Sequence, residues 1–242
     1  HLDWAAYGRS DTLMVRLYRE EISPRTEILC DASRSMSVTG PSQSTTHDEV
    51  VPPKVDLARK LTGLFALLAS GLGGSPAVIP LDDSHPLERI GFDQLDQLAS
   101  LPFEARATLA DQLAAGHVPL QSRSVRIVIS DFLFPHDPEV LVKRLASDAS
   151  TLWVIQVLGE WEADPTPLGG RRLVDQETSA EADLLLNRHT IDEYRGRLRR
   201  LQRGLAQACR RAEATYVSVV AEAGLEQVCR DELCVSGILR IV

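Results

Sequence analysis

The residues with the clearest chemical potential are Asp31-Ala32-Ser33-Arg34-Ser35. A carboxylate is followed by two hydroxyls at steps of two. In an extended loop, residues i, i+2 and i+4 point to the same side, so three oxygens converge on one point. Such donors suit a hard divalent cation, Mg2+ first, with Mn2+ or Ca2+ as alternatives. The neutrality of the serines matters. A site built only of carboxylates would cancel the ion's charge, whereas this set leaves the ion electrophilic and in need of an anionic ligand from outside. The design is for capturing an Asp or Glu of a protein partner. The plainer alternative is a turn in which Asp and Ser hydrogen-bond the backbone and hold no ion.

The elements around this motif must place it. Thr26 to Asp31 is a short apolar run ending in an acid, the pattern of a buried parallel strand. Val125 to Ser130 is a second such strand, with Asp131 directly after it, and Thr151 to Leu158 is a third. Further strands are expected at Leu13 to Glu21, Ala77 to Leu81 and Thr215 to Val220, with a short one at Arg172 to Val174 inside an otherwise irregular stretch from Glu160 to Ala180. The helices are Lys54 to Gly71, Phe92 to Leu98, Thr108 to Ala115, Pro138 to Ala149 and Thr190 to Glu213, with a short helix and tail from Leu225. In the first of these, Val55, Ala58, Leu61, Leu64, Phe65 and Leu68 fall on one stripe at helical spacing. Ser37 to Pro53, rich in Ser, Thr, Pro and Gly, reads as a long loop. Strands alternating with helices imply an α/β fold, a doubly wound, mostly parallel sheet with helices on both faces. Ligands in such sheets sit beyond the carboxyl ends of the strands, where the strand order reverses. Two strands that lead into aspartates, Asp31 and Asp131, mark that place.

The whole chain narrows the choices. Its 242 residues fit one α/β domain with extensions, read as an N-terminal segment 1–24 packed on a domain 25–242. A net charge of −8 argues against general nucleic-acid or anionic-membrane binding. The four cysteines form no C-x-x-C pair, which argues against a zinc site, and so few in a chain this long suggest a reducing compartment. The most apolar stretch, Leu61 to Leu72, is too short to span a bilayer, and no signal peptide is visible. The reading is therefore cytoplasmic. The start at His1, without a Met, suggests a fragment whose preceding segment could carry a membrane anchor.

D-x-S-x-S after a hydrophobic strand resembles the first element of the metal-ion-dependent adhesion site of von Willebrand factor A domains. That resemblance implies an Asp after a later strand, matched by Asp131 in I-V-I-S-D-F, and a Thr from a later loop, matched by Thr108 in A-T-L-A-D-Q-L. Gly-Gly often precedes the Thr in that family; here it is Arg106-Ala107. A second resemblance covers nearly the whole chain. Leu2-Asp3-Trp4, Arg9, the strand leading to D-x-S-x-S-M, and Ser130-Asp131-Phe132 are similar to the bacterial family called domain of unknown function 58. Its members are often encoded beside AAA ATPases of the MoxR type. The resemblance implies a partner or adaptor of such an ATPase or its client, acting in the assembly or activation of other proteins; the family has no agreed enzymatic activity, and the expectation is that the chain is not an enzyme.

Other features have weaker claims. Asp3, Trp4 and Arg9 read as an N-terminal segment packed on the core, with a partner surface as the alternative. Eight arginines between Arg188 and Arg211 face only Asp192 and Glu193, a docking face for an acidic partner or a solvated face paired with neighbouring acids. His85, His117, His136 and His189 share no metal-ligand spacing. A metal-dependent phosphatase would want an acid where Ser33 stands. The chain also lacks G-x-S-x-G and the phosphate-binding G-x-x-x-x-G-K-[ST]. A metal-dependent binding module is thus the expectation. A metal-free scaffold binding through Arg199, Arg200 and Arg203 is the alternative.

Overall fold

The computed structural model describes residues 25–40, 51–84, 86–166, 169–174, 181–186 and 188–240. The segment 1–24, with the expected strand Leu13 to Glu21 and Asp3, Trp4 and Arg9, lies outside the described residues, as do His85 and most of the Ser37–Pro53 loop. In chain order the elements are β1 (Arg25–Asp31), α1 (Pro53–Gly71), β2 (Ser75–Leu81), β3 (Ile90–Gly91), a 3-10 segment (Phe92–Ser100), α2 (Leu109–Ala114), β4 (Val125–Ser130), α3 (Pro138–Ala146) and β5 (Thr151–Leu158). There follow α4 (Glu160–Ala163), β6 (Gly169–Val174), β7 (Glu181–Leu186), α5 (Arg188–Arg211), β8 (Thr215–Val220) and α6 (Gly224–Val228).

Six strands form one sheet in the order β3-β2-β1-β4-β5-β8, all parallel except the two-residue β3. The chain winds outward from β1 to β2 and β3 in one direction. It then returns to β1's other side and winds outward through β4, β5 and β8. The strand order therefore reverses between β1 and β4, and the crevice of a doubly wound sheet opens there. Both faces are covered. Ile28, Cys30, Ile127, Ile129, Ile155 and Val157 pack on one side with α1 and α6. Leu29, Val128, Leu152 and Val154 pack on the other with α2, α3 and α5. Alternate residues of each strand thus face opposite cores, and the strands are mostly apolar on both faces.

Some expectations need correction. The buried stripe of α1 is formed by Val55, Leu57, Ala58, Leu61, Phe65 and Ala66; Leu68 is 40% exposed and Leu64 only half-buried. The stretch Glu160 to Ala180 is not merely irregular: it holds α4 and the strand β6, which pairs antiparallel with β7 in a separate two-stranded sheet. The expected strand Arg172 to Val174 is the end of β6. Helix Pro138–Ala146 stops three residues earlier than its sequence pattern suggested, and Asp148 there takes a positive φ of 55°.

At the amino ends of the strands the sheet is pinned by one buried ion cluster. Glu27 on β1 accepts from Arg126 on β4 at 3.2 Å, from the Ser124 hydroxyl at 2.7 Å, from Arg89 at 3.1 Å and from the Gln121 amide. Arg126 is fully buried and also donates to the carbonyls of Leu145, Ser147 and Gln121. Arg126 has Glu27 as its one carboxylate partner, whereas Glu27 also has Arg89. Arg126→Met should therefore destabilise the fold by about 3 kcal/mol, because it removes the buried partner of Glu27 and takes a donor from the Leu145, Ser147 and Gln121 carbonyls. The check is a chemical-denaturation curve whose midpoint falls while its slope stays unchanged.

Candidate functional site

The opposite, carboxyl end of the same two strands is built differently. Asp31 closes β1 and Asp131 follows β4, so the reversal of strand order sets two buried carboxylates side by side. One Asp31 oxygen accepts from the Ser33 amide at 2.9 Å and the other from the Ser130 hydroxyl at 2.5 Å. Burial, with the charge of Asp131 adding to it, pushes the Asp31 carboxyl up to about 6. The hydroxyls of Ser33 and Ser35 lie 3.0 Å apart, so the i, i+2 spacing does bring them together. Ser33 is buried and Ser35 half-buried.

The turn after β4 is strained. Phe132 is fully buried yet has φ of 56°, the left-handed region that bulky residues avoid. Two hydrogen bonds hold it there, from the Phe132 amide to the Ser130 hydroxyl (3.0 Å) and from the Leu133 amide to Asp131 (3.0 Å). This turn fixes the Asp131 carboxylate, whose own carbonyl is tied by the Gln156 amide group at 2.8 Å.

Thr108 is placed beside this group by its loop. Ala105 pairs with the motif backbone, donating to Ala32 O and accepting from the Arg34 amide, both at 3.0 Å. Asp83, just after β2, anchors the next two amides, those of Arg106 and Ala107. The Thr108 hydroxyl itself belongs to the start of α2: it accepts from the Asp111 amide and donates to the Asp111 carboxylate at 2.8 Å. The structure thus gathers Asp31, Ser33, Ser35 and Asp131, and sets Thr108 on the neighbouring loop with its hydroxyl engaged in a helix cap.

Sequence reasoning missed a cation in this cluster. Lys54, in the first turn of α1, is 1% exposed, and its ammonium meets Asp131 at 3.2 Å, the Ser35 carbonyl at 2.7 Å and Glu162 at 2.7 Å. Burial works against its charge, but Asp131 and then Glu162 outweigh that and hold it above the usual lysine range. Glu162 is in turn fixed by the Gly159 amide at 2.8 Å, and burial raises its carboxyl above the ordinary value. One signal did point to Lys54: a lysine in the first turn sits at the positive end of the helix dipole, where a cation is unfavourable unless acceptors surround it.

The donor set fits a hard divalent ion: two carboxylates and two hydroxyls, all oxygen. Among the described residues no group of three or more His, Cys, Asp or Glu gathers as a metal centre would, so the neutral serines are essential to that fit. Elsewhere, Arg195 pairs with Asp164 and Arg211 with Glu139, while Arg199, Arg200 and Arg203 are exposed on α5. His136 is tied by its Nδ1 to the Phe134 carbonyl, and all four cysteines are free thiols.

Fold and site together define an α/β protein with two buried aspartates at the switch point of a mostly parallel sheet. The chain belongs to the family described as protein of unknown function DUF58, whose model matches residues 1–204. No curated protein matches it. Among solved structures it is similar to the conserved hypothetical protein BatB from Bacteroides thetaiotaomicron, at 15% identity and TM-score 0.45, over 89% of this chain and all of that one. It is also similar to an aerotolerance-related membrane protein from Bacteroides fragilis, solved with multiple mutations to serine, at 14% identity and TM-score 0.43, over 81% of this chain and 91% of that one. Among the described residues no helix is long and apolar enough to cross a membrane.

Ser130 serves both strained carboxylate and strained turn. Ser130→Ala should lower stability by about 1–3 kcal/mol, since it removes the donor to Asp31 and leaves the buried Phe132 amide without its acceptor. Thermal unfolding by circular dichroism reads the loss.

Proposed function

We propose that this chain is a metal-dependent protein-binding module of the von Willebrand factor A type. Its site is formed by Asp31, Ser33, Ser35 and Asp131, with Thr108 joining when the ion is bound. The observation that supports this most is the convergence of Asp31, the paired Ser33 and Ser35 hydroxyls and Asp131 at the switch point. Mg2+ is the ion of choice, with Mn2+ and Ca2+ as alternatives. Held by only two protein carboxylates, it keeps enough positive charge to take an Asp or Glu from a partner. The partner of choice is a MoxR-type AAA ATPase or its client. The protein acts by binding and not by catalysis, in the cytoplasm or at a membrane reached by a segment outside this sequence.

Calorimetric titration of Mg2+ and Mn2+ into chelator-treated protein tests this. The expected result is saturation near one ion per chain, lost in Asp31→Ala while the circular dichroism spectrum is kept. A variant that loses the ion yet binds its partner normally would contradict it. So would turnover of a generic phosphate ester that disappears in Asp31→Ala, which would make the site an enzyme's. A metal-free scaffold working through α5 remains the second reading, favoured by the exposure of Arg199, Arg200 and Arg203. Charge reversal at those three positions would then weaken partner binding, and Asp31→Ala would not.

A further inference from the structure

We infer that Lys54 is a built-in competitor of the divalent ion: it holds Asp131 in the metal-free protein, and Glu162 is the acceptor that keeps the ammonium when Asp131 turns to the metal. This rests on the metal-binding reading of the site and concerns its regulation.

Three facts carry it. Lys54 is buried, so its ammonium is not a solvated surface charge that drifted toward an acid. Its acceptors include one group of the candidate metal site itself, the Asp131 carboxylate, and the backbone carbonyl of Ser35, whose hydroxyl belongs to that site. Its third acceptor, Glu162, stands outside that site, on α4, and makes the shorter of the two ion pairs, 2.7 Å against 3.2 Å. A cation shared in this way can be released by the site without losing its charge partner.

Counting formal charges shows why both cations belong. Asp31, Asp131 and Glu162 bring three negative charges, and Lys54 returns one. The group is left with a net charge of minus two, one unit less negative than it would be without the lysine. The lysine therefore weakens metal binding without forbidding it. The empty-handed protein keeps its carboxylates screened, so the strands that carry them can pack with no ion present. Metal capture is correspondingly reluctant, and an incoming carboxylate that adds to the ion's ligands tips the exchange. Glu162 is itself held in place, by the Gly159 amide and through the Tyr194 hydroxyl, which donates to its carbonyl at 2.9 Å. The receiving end of the exchange is thus built rather than incidental.

Two substitutions should move the affinity for Mn2+ alone in opposite directions. Lys54→Met removes the competitor and should tighten Mn2+ binding by roughly tenfold or more, the size expected for deleting a like charge at close range. Glu162→Gln leaves Lys54 with Asp131 as its one remaining carboxylate partner and should weaken binding at least about threefold. Both are read by calorimetry and by the Mn2+ electron paramagnetic resonance signal, on proteins whose folding is confirmed by circular dichroism. Tighter binding in Lys54→Met, including binding seen there and not in the unsubstituted protein, supports the proposal. If Lys54→Met does not fold, the Glu162→Gln result decides alone. Ion binding by the unsubstituted protein with unchanged or weaker affinity in Lys54→Met, or unchanged or tighter affinity in Glu162→Gln, overturns this inference and leaves the metal site standing. No Mn2+ binding in any of the three overturns both.

Discussion

Asp31 and Asp131 end neighbouring parallel strands in a dry interior, and the structure has to hold these two like charges together without forcing the strands apart. Lys54 is the element that makes this feasible. Its ammonium reaches Asp131 and the Ser35 carbonyl at once, so α1 is bound to the end of β4 and to the loop that follows β1. Asp31 is relieved in another way, by hydrogen bonds from the Ser33 amide and the Ser130 hydroxyl. The asymmetry is physically sensible. A single ammonium cannot serve two carboxylates and a third on α4 equally, so one of them is left to neutral donors.

The two ends of the sheet solve the same problem differently. At the amino ends, Glu27 and Arg126 face each other with every remaining oxygen and nitrogen engaged by Ser124, Gln121, Arg89 and backbone carbonyls. That cluster is closed and stabilises the packing. At the carboxyl ends, negative charge exceeds positive and two serine hydroxyls, one buried and one half-buried, hydrogen-bond each other. Parallel strands make the difference possible, because all of their carboxyl ends meet at one edge, where loops can be elaborated without disturbing the pinned end. The left-handed Phe132 belongs to this division. Backbone strain of about 1–3 kcal/mol is tolerable when the surrounding core holds the turn in place.

Much of this architecture could be read directly. The strands at Arg25–Asp31, Val125–Ser130, Thr151–Leu158 and Thr215–Val220 are mostly apolar or β-branched runs, interrupted by single polar residues such as Glu27, Arg126 and Gln156, as expected of strands covered on both faces. The i, i+2, i+4 spacing of Asp31, Ser33 and Ser35 was legible because it is local. What escaped was short or non-local. The strand β3 is only two residues long and carries no pattern. The hairpin of β6 and β7 lies in a sheet of its own. Leu68 was misread because helical spacing predicts which residues share a face, and not how far along the helix its partner extends.

The sequence by itself determined the alternation of strands and helices, the placing of an aspartate at the end of two strands, and the pair of hydroxyls after the first, since each follows from the order of residues within one segment. Only the tertiary structure decided that β1 and β4 are neighbours, and that Lys54 joins Asp131 and Glu162, which lie 77 and 108 residues further along the chain. The physical reason is that a buried charge is specified by the groups surrounding it. Those groups come from different elements, and nothing in the local order of residues records which of them the sheet will bring together.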